Sequence, residues 1–210
     1  MSPLLVALLG MLVIPLFVAT WRASLFGLAC QGLLMALVAH RLDPHPATPG
    51  AWIELVDLAL VRGLAAPVAL YAVMHAQKAA SRSDVIPPNL LSWTVALAMV
   101  LVSFSFAGRL VAEHGDQRML IAVAGSGLLL GFLVLSTQSG PFGQVIGALR
   151  VENAIALLEL GGERHESPVG VRLGLVAVFI ATVGFFRWYL ASFGSPDEAA
   201  AATGAEGPTL

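Results

Sequence analysis

Cysteine is almost absent. The 210 residues hold only Cys30, which excludes an intrachain disulfide and a cysteine-ligated zinc or iron–sulfur centre built by this chain alone. Its place in an apolar run makes it a small packing residue. Charge is equally scarce: 11% of residues are Asp, Glu, Lys or Arg, and the net charge is −2. No Lys/Arg cluster supplies an electrostatic footprint for nucleic acid. The first apolar run, residues 3–20, has no positive residue before it. It therefore lacks the charged start of a signal peptide and is expected to stay in the protein as a helix. Soluble-type internal repeats are also missing.

What fills the chain instead is hydrocarbon. Hydrophobic residues make up 58% and the mean hydropathy is +0.85, outside the balance of a soluble domain. The expected fold class is an all-α integral membrane protein. Crossing a core of about 30 Å takes roughly 20 apolar residues, so the length allows about seven transmembrane helices and no separate soluble domain. Any soluble chemistry would belong to partners.

The apolar runs place helices over about 3–20, 23–40, 51–75, 89–112, 119–137, 142–160 and 169–192. Proline-rich or charged connections separate them: RLDPHPATPG, residues 77–88 ending in Pro87-Pro88, EHGDQR, QSGP and GGERHESP. Asp43 and His45 in the first of these loops are two ligand-type residues without converging neighbours, and they read as solvated rather than as a metal site. The tail 195–210 is small and acidic, which predicts disorder or weak docking. This divides the chain into a four-helix region, 1–112, a three-helix region, 113–194, and the tail. Arg22 after the first span points the N-terminus outward by the positive-inside tendency. The other cations divide between the two sides and fix no orientation.

Against this background the intramembrane ionisable residues stand out, since burying one in hydrocarbon costs roughly 2.5 kcal/mol or more. The clearest is Glu152, in QVIGALRVENAIALLEL. Glu159 lies seven residues on, within about 20° on the same helix face and roughly 10 Å along the axis. Such a stacked pair is what half of a proton relay needs, because each carboxyl group can hold or release a proton as its surroundings dictate. Asn153 and Gln144 can orient a carboxylate or a water. The competing reading puts Glu159 among lipid headgroups and pairs Glu152 with an arginine of another helix. Arg150, about 200° round from Glu152, is a poor partner on its own helix.

The third helix carries Glu54, Asp57 and Arg62. With α-helical spacing Glu54 and Asp57 lie about 60° apart and Glu54 and Arg62 about 80°, which favours a shared flank for Glu54 and Arg62. Gly63 and Pro67 follow, and the proline opens the backbone ladder and can kink the helix. A polar network within an assembly, structural pairing, and snorkelling of Arg62 to the membrane edge remain three readings. Gly127/Gly131, Gly143/Gly147 and Gly170/Gly174 give each of the last three helices a GxxxG pair, the spacing that permits close approach. Together they predict a compact three-helix unit.

At Gln144, Gly147, Glu152 and Asn153 the segment QVIGALRVENAIALL resembles the QxxG…EN segment of component E of hydrogenase-4 and its relatives in formate hydrogenlyase-type complexes. RGLAAPVAL resembles that family's lysine–proline segment, with Arg62 in place of the lysine and Pro67 aligned. The resemblance implies a relative of subunit K of NADH:quinone oxidoreductase, with the last three helices forming the subunit-K-like unit. It implies a non-catalytic subunit of a proton-translocating membrane arm, beside antiporter-like membrane subunits and a peripheral redox module, with no cofactor or metal in this chain. The setting would be a bacterial or archaeal inner membrane. One departure bears on mechanism: the family's further acid in the last helix is missing from VGVRLGLVAVFIATVGFF, which offers Arg172 instead, a possible partner for Glu152 or Glu159. The proton-path candidates are thus Glu152, Glu159, Asn153, Glu54, Asp57 and Arg62. A purely structural subunit bridging antiporter-like neighbours and a stand-alone ion-coupled transporter are the alternatives. The latter shows no inverted repeat. An intramembrane enzyme is not expected, because no nucleophile–base pair is present.

Overall fold

A computed structural model of the chain describes residues 2–13, 16–17, 20–44, 48–76, 90–111, 115–138, 140–162 and 168–192. Among these there are seven helical rods and no strand. They are α1 (Ser2–Val13), α2 (Trp21–Leu42), α3 (49–76), α4 (Leu90–Leu110), α5 (Asp116–Thr137), α6 (Pro141–Gly161) and α7 (Val169–Ser192). The expected tail, 195–210, and the connection 77–88 lie outside the described residues.

The helix starts follow local chemistry. Thr20 Oγ1 accepts from Ala23 N and Thr48 Oγ1 from Ala51 N, each at 3.3 Å, satisfying a backbone donor that the first turn leaves open. Pro49 and Pro141 occupy first-turn positions, where a missing N–H costs nothing.

Two helices depart from expectation. α1 ends at Val13 instead of continuing to residue 20; Leu16 and Phe17 are outside any α-helix, and Leu16 is buried. α3 begins as an α-helix, Pro49–Val56, passes through a π-helical stretch, Asp57–Ala65, and resumes as α-helix over Ala66–Ala76. A π stretch of nine residues is long for a conformation that is usually confined to single turns, often at functional sites.

Four helices, α2, α4, α5 and α7, are long and apolar enough to cross a membrane. The length of α6 suffices as well, but it carries Arg150, Glu152 and Glu159; α3 carries Glu54, Asp57 and Arg62. Each of these two packs between other helices, with Asp57, Arg62 and Arg150 buried. Across the bundle the neighbours run α4, α5, α6, α2, α3, α7, with α1 wedged between α2 and α5. The two end helices, α4 and α7, are accordingly the least buried.

Glycines set the closest approaches. A β-carbon on Gly147 of α6 would lie 3.1 Å from Leu135 N, and one on Gly131 of α5 would lie 3.2 Å from Val151 N. Gly127 faces Ala154 and Leu12. The first two GxxxG pairs therefore do what their spacing predicts. The third does not: among the described residues nothing lies within 4 Å of where a β-carbon on Gly170 or Gly174 would sit, and α7 packs chiefly on α3 rather than closing a unit with α5 and α6. An equally tight contact absent from the sequence expectations joins α2 to the π stretch, where a β-carbon on Gly32 would lie 2.6 Å from Gly63 Cα.

Candidate functional site: a buried ion-pair cluster between α3 and α6

Arg62 sits near the middle of α3, and its guanidinium is buried and surrounded. Its Nε donates to Asp57 Oδ2 at 2.8 Å, and its Nη1 donates to Asn153 Oδ1 of α6 at 3.2 Å. The Phe179 ring of α7 lies 4.0 Å from the guanidinium carbon, a distance for a favourable cation–π contact. Asp57, Arg62 and Asn153 are all buried. Glu152, half-buried beside Asn153, is within electrostatic reach of both Arg62 and Asp57.

The π stretch makes the ion pair possible. On an α-helix, residues five apart point about 140° away from one another. In a π-helix, whose backbone bonds run from i to i+5, they stack on one face. Asp57 and Arg62 are five apart, and so the local backbone turns two diverging side chains into a bonded pair.

Three buried polar atoms have no hydrogen-bond partner among the described residues: Asp57 Oδ1, Glu152 Oε2 and Gln31 Nε2. Two of the three belong to this cluster. Unpaired carboxylate oxygens in such surroundings are costly.

A second polar contact lies toward one membrane face. Arg172, in the first turn of α7, donates from Nη1 to the Gly50 carbonyl at 3.0 Å and pairs with Glu54. The amino-terminal ends of α3 and α7 are thereby tied together. The carboxy-terminal end of α6 is on that face too, since only residues 162–168 separate it from α7. Glu54 and Glu159 therefore belong to the same side, as do the steps from Asp57 to Glu54 and from Glu152 to Glu159. The opposite half of the bundle is closed by an apolar cluster that includes Leu25, Leu70, Met74, Phe142, Ile146 and Val183.

A second arginine at mid-depth is occupied elsewhere. Arg150 of α6 is buried, and its Nη1 donates to the Leu12 carbonyl at 3.4 Å. Leu12 is in the last turn of the shortened α1, where carbonyls lack helical partners and the helix dipole is negative. The guanidinium thus caps a helix that ends inside the bundle, where irregular backbone is tolerated only when protein covers it.

Of the sequence candidates, Asp57, Arg62, Asn153 and Glu152 come together. Glu54 does not share a pair with Arg62 as α-helical geometry suggested; its partner is Arg172. Arg172 in turn reaches neither Glu152 nor Glu159 in any contact seen. Glu159 and Gln144 are exposed, Glu159 in the last turn of α6. His45 falls outside the described residues, and among those described no three His, Cys, Asp or Glu side chains converge. Sequence reasoning missed Phe179, Gln31 and the capping role of Arg150. Only the last left a signal, a cation in mid-helix. No family model, curated protein or solved structure matches the chain.

Proposed function

We propose that the chain is a non-catalytic membrane subunit of a hydrogenase-4-like or complex-I-like energy-converting complex, and that it carries a half-path for protons centred on Glu152. The observation that carries this reading is the mid-depth cluster in which Arg62 joins Asp57 of α3 to Asn153 of α6, next to Glu152. Intramembrane ionisable residues that face a bundle interior mark proton and ion routes. From this cluster Glu54 and Arg172 continue toward one face, while the first half of α6 and the second half of α3 pack into an apolar cluster. A route through the whole membrane would then need the antiporter-like subunits expected beside this one, with a peripheral redox module driving them, in a bacterial or archaeal inner membrane.

The purely structural alternative draws on the outer helices: α4 and α7 expose long apolar faces suited to lipid or to neighbouring subunits. Glu152→Gln in the intact complex separates the two readings. Conduction requires that assembly persist while proton-coupled activity falls. Unchanged coupling in an assembled complex would refute it and leave the structural role.

A further inference from the structure

The end of the bundle away from Glu54 is lined differently from the rest. α3 and α7 both start beside the Glu54–Arg172 tie and therefore finish at this end. Trp21, in the first turn of α2, packs at 5.4 Å on Tyr71 near the end of α3, so α2 begins here. Phe142, in the first turn of α6, joins the same apolar cluster as Trp21 and Met74. Phe17, just before α2, stacks at 4.0 Å on Trp93 near the start of α4. Five of the six Trp and Tyr residues, Trp21, Tyr71, Trp93, Trp188 and Tyr189, gather at this end, and amphipathic rings suit the headgroup level of a membrane. Charge divides as sharply. The described basic residues of this end are Arg22, His75 and Arg187, all exposed. Asp43, Glu54, Asp116 and Glu159 are at the opposite end and Asp57 and Glu152 at mid-depth, so among the described residues no carboxylate balances them.

Ring contacts connect Arg22 to His75 across two helices. The Arg22 guanidinium carbon lies 5.3 Å from the Trp21 ring, Trp21 contacts Tyr71, and Tyr71 stacks at 5.6 Å on His75 one turn later. No hydrogen bond or ion pair among the described residues occupies Arg22 or His75. Below each of them the helix surface is apolar and open. Phe26, one turn from Arg22, is 66% exposed, and Val68, two turns from His75 on the same side of α3, is 63% exposed. The side chain of Leu33, two turns beyond Phe26, lies 3.2 Å from where a β-carbon on Gly63 of α3 would sit, so the two stripes adjoin. We propose that this α2–α3 surface binds one anionic phospholipid, with Arg22 and His75 donating to the headgroup phosphate and Phe26 and Val68 contacting the acyl chains. The planar fork of an arginine presents parallel N–H donors that match phosphate oxygens, and basic sites between membrane helices select anionic headgroups. An acidic protein loop would meet the basic tip but has no counterpart for the stripes that run below it. Binding requires a bilayer lipid, but neither a proton path nor a partner subunit.

The full-length chain in lipid nanodiscs made from equal amounts of phosphatidylglycerol and phosphatidylcholine provides the test, with the retained lipids counted by native mass spectrometry. Wild type should keep phosphatidylglycerol over phosphatidylcholine by about fivefold, the preference that one arginine at a membrane surface supports. Arg22→Gln should bring the two lipids close to parity, and His75→Gln should fall between. Both side chains are exposed, so folding should survive either change. Arg41→Gln, the same substitution at the other end of α2, should match wild type. Equal retention of the two lipids by wild type would overturn the proposal and leave this end to an acidic protein surface. Equal losses in Arg22→Gln and Arg41→Gln would overturn it in favour of diffuse charge, and a wild-type ratio in Arg22→Gln or in His75→Gln would overturn the site as drawn. Displacement of the lipid by soluble glycerol phosphate at equal concentration would show a bare anion site, which also overturns it. Lipid retention is read without turnover, so the result is independent of whether Glu152→Gln uncouples the assembled complex.

Discussion

Replacing Arg62 by leucine should be among the most destabilising single changes available to this chain, and the geometry gives the size of the effect. Removing one member of a buried ion pair typically costs about 3–5 kcal/mol, mainly because the other charge is stranded. Here the stranded group is Asp57, 8% exposed and left with no bond to either oxygen. The lost bond to Asn153 and the lost Phe179 contact overlap with this penalty and do not simply add to it. Replacing both members by apolar residues, Asp57→Leu with Arg62→Leu, strands nothing. Buried pairs exchanged for apolar side chains often come out neutral or better, and what remains is roughly 1–2 kcal/mol for the Phe179 and Asn153 contacts. The double variant should therefore be more stable than Arg62→Leu alone by about 2 kcal/mol. Reversible unfolding in mixed detergent micelles, followed by loss of helical signal, measures each corner of this cycle. If the double variant is as unstable as the two single losses added together, the pair contributes no coupling, and the argument from the π-helical register falls with it.

Gly32→Ala places a methyl group 2.6 Å from Gly63 Cα, backbone against backbone, so α2 and α3 must separate; a loss of about 1–3 kcal/mol is expected in the same unfolding assay. Gly147→Ala should lower stability through its contact with Leu135 of α5, whereas Gly174→Ala, with nothing among the described residues within 4 Å, should leave the isolated chain unchanged. Equal effects of these two substitutions would contradict the placement of α7. Arg172→Gln removes the ties to Glu54 and Gly50 that hold the start of α7 to α3. The expected result is faster cleavage by added protease between α6 and α7, with helix content unchanged by circular dichroism.

The helices were legible because apolar runs and proline breaks mark them directly: six of the seven rods match the expected bounds to within a few residues. The shortened α1 was open to sequence reasoning and was overlooked: Pro15 has no N–H for a helical bond and disfavours helix at the residue before it, whereas the bond from Arg150 to the Leu12 carbonyl comes from 138 residues away in sequence and left no local signal. Glu152 and Asn153 could be found from polarity in an apolar context. The Asp57–Arg62 pair could not, because α-helical spacing puts those side chains on different flanks, and no residue-level signal marks the switch to π geometry. The same assumption paired Glu54 with Arg62, when its partner arrives from α7. GxxxG spacing located the α5–α6 contact correctly. It misplaced α7, because small residues state that an approach is possible without stating which helix makes it.

Among the described residues, neither mid-depth arginine bonds Glu152. Arg62 gives its Nε to Asp57 and its Nη1 to Asn153, with its face against Phe179. Arg150 is directed to the end of α1. Had α3 stayed α-helical through residue 62, Asp57 and Arg62 would point about 140° apart and the pair would be lost. The π stretch prevents this by supplying Arg62 with a partner from its own helix. The Gly32–Gly63 approach then holds that stretch against α2. Glu152 lies near a positive charge without being bonded to it, which lowers the cost of keeping a carboxyl group at this depth, and its Oε2 has no partner among the described residues. A group that only pinned two helices together would gain by completing that bond. The Glu152→Gln variant tests this difference: a carboxyl group that only holds α6 in place can lose its charge without loss of proton-coupled activity, whereas the proposed proton station cannot.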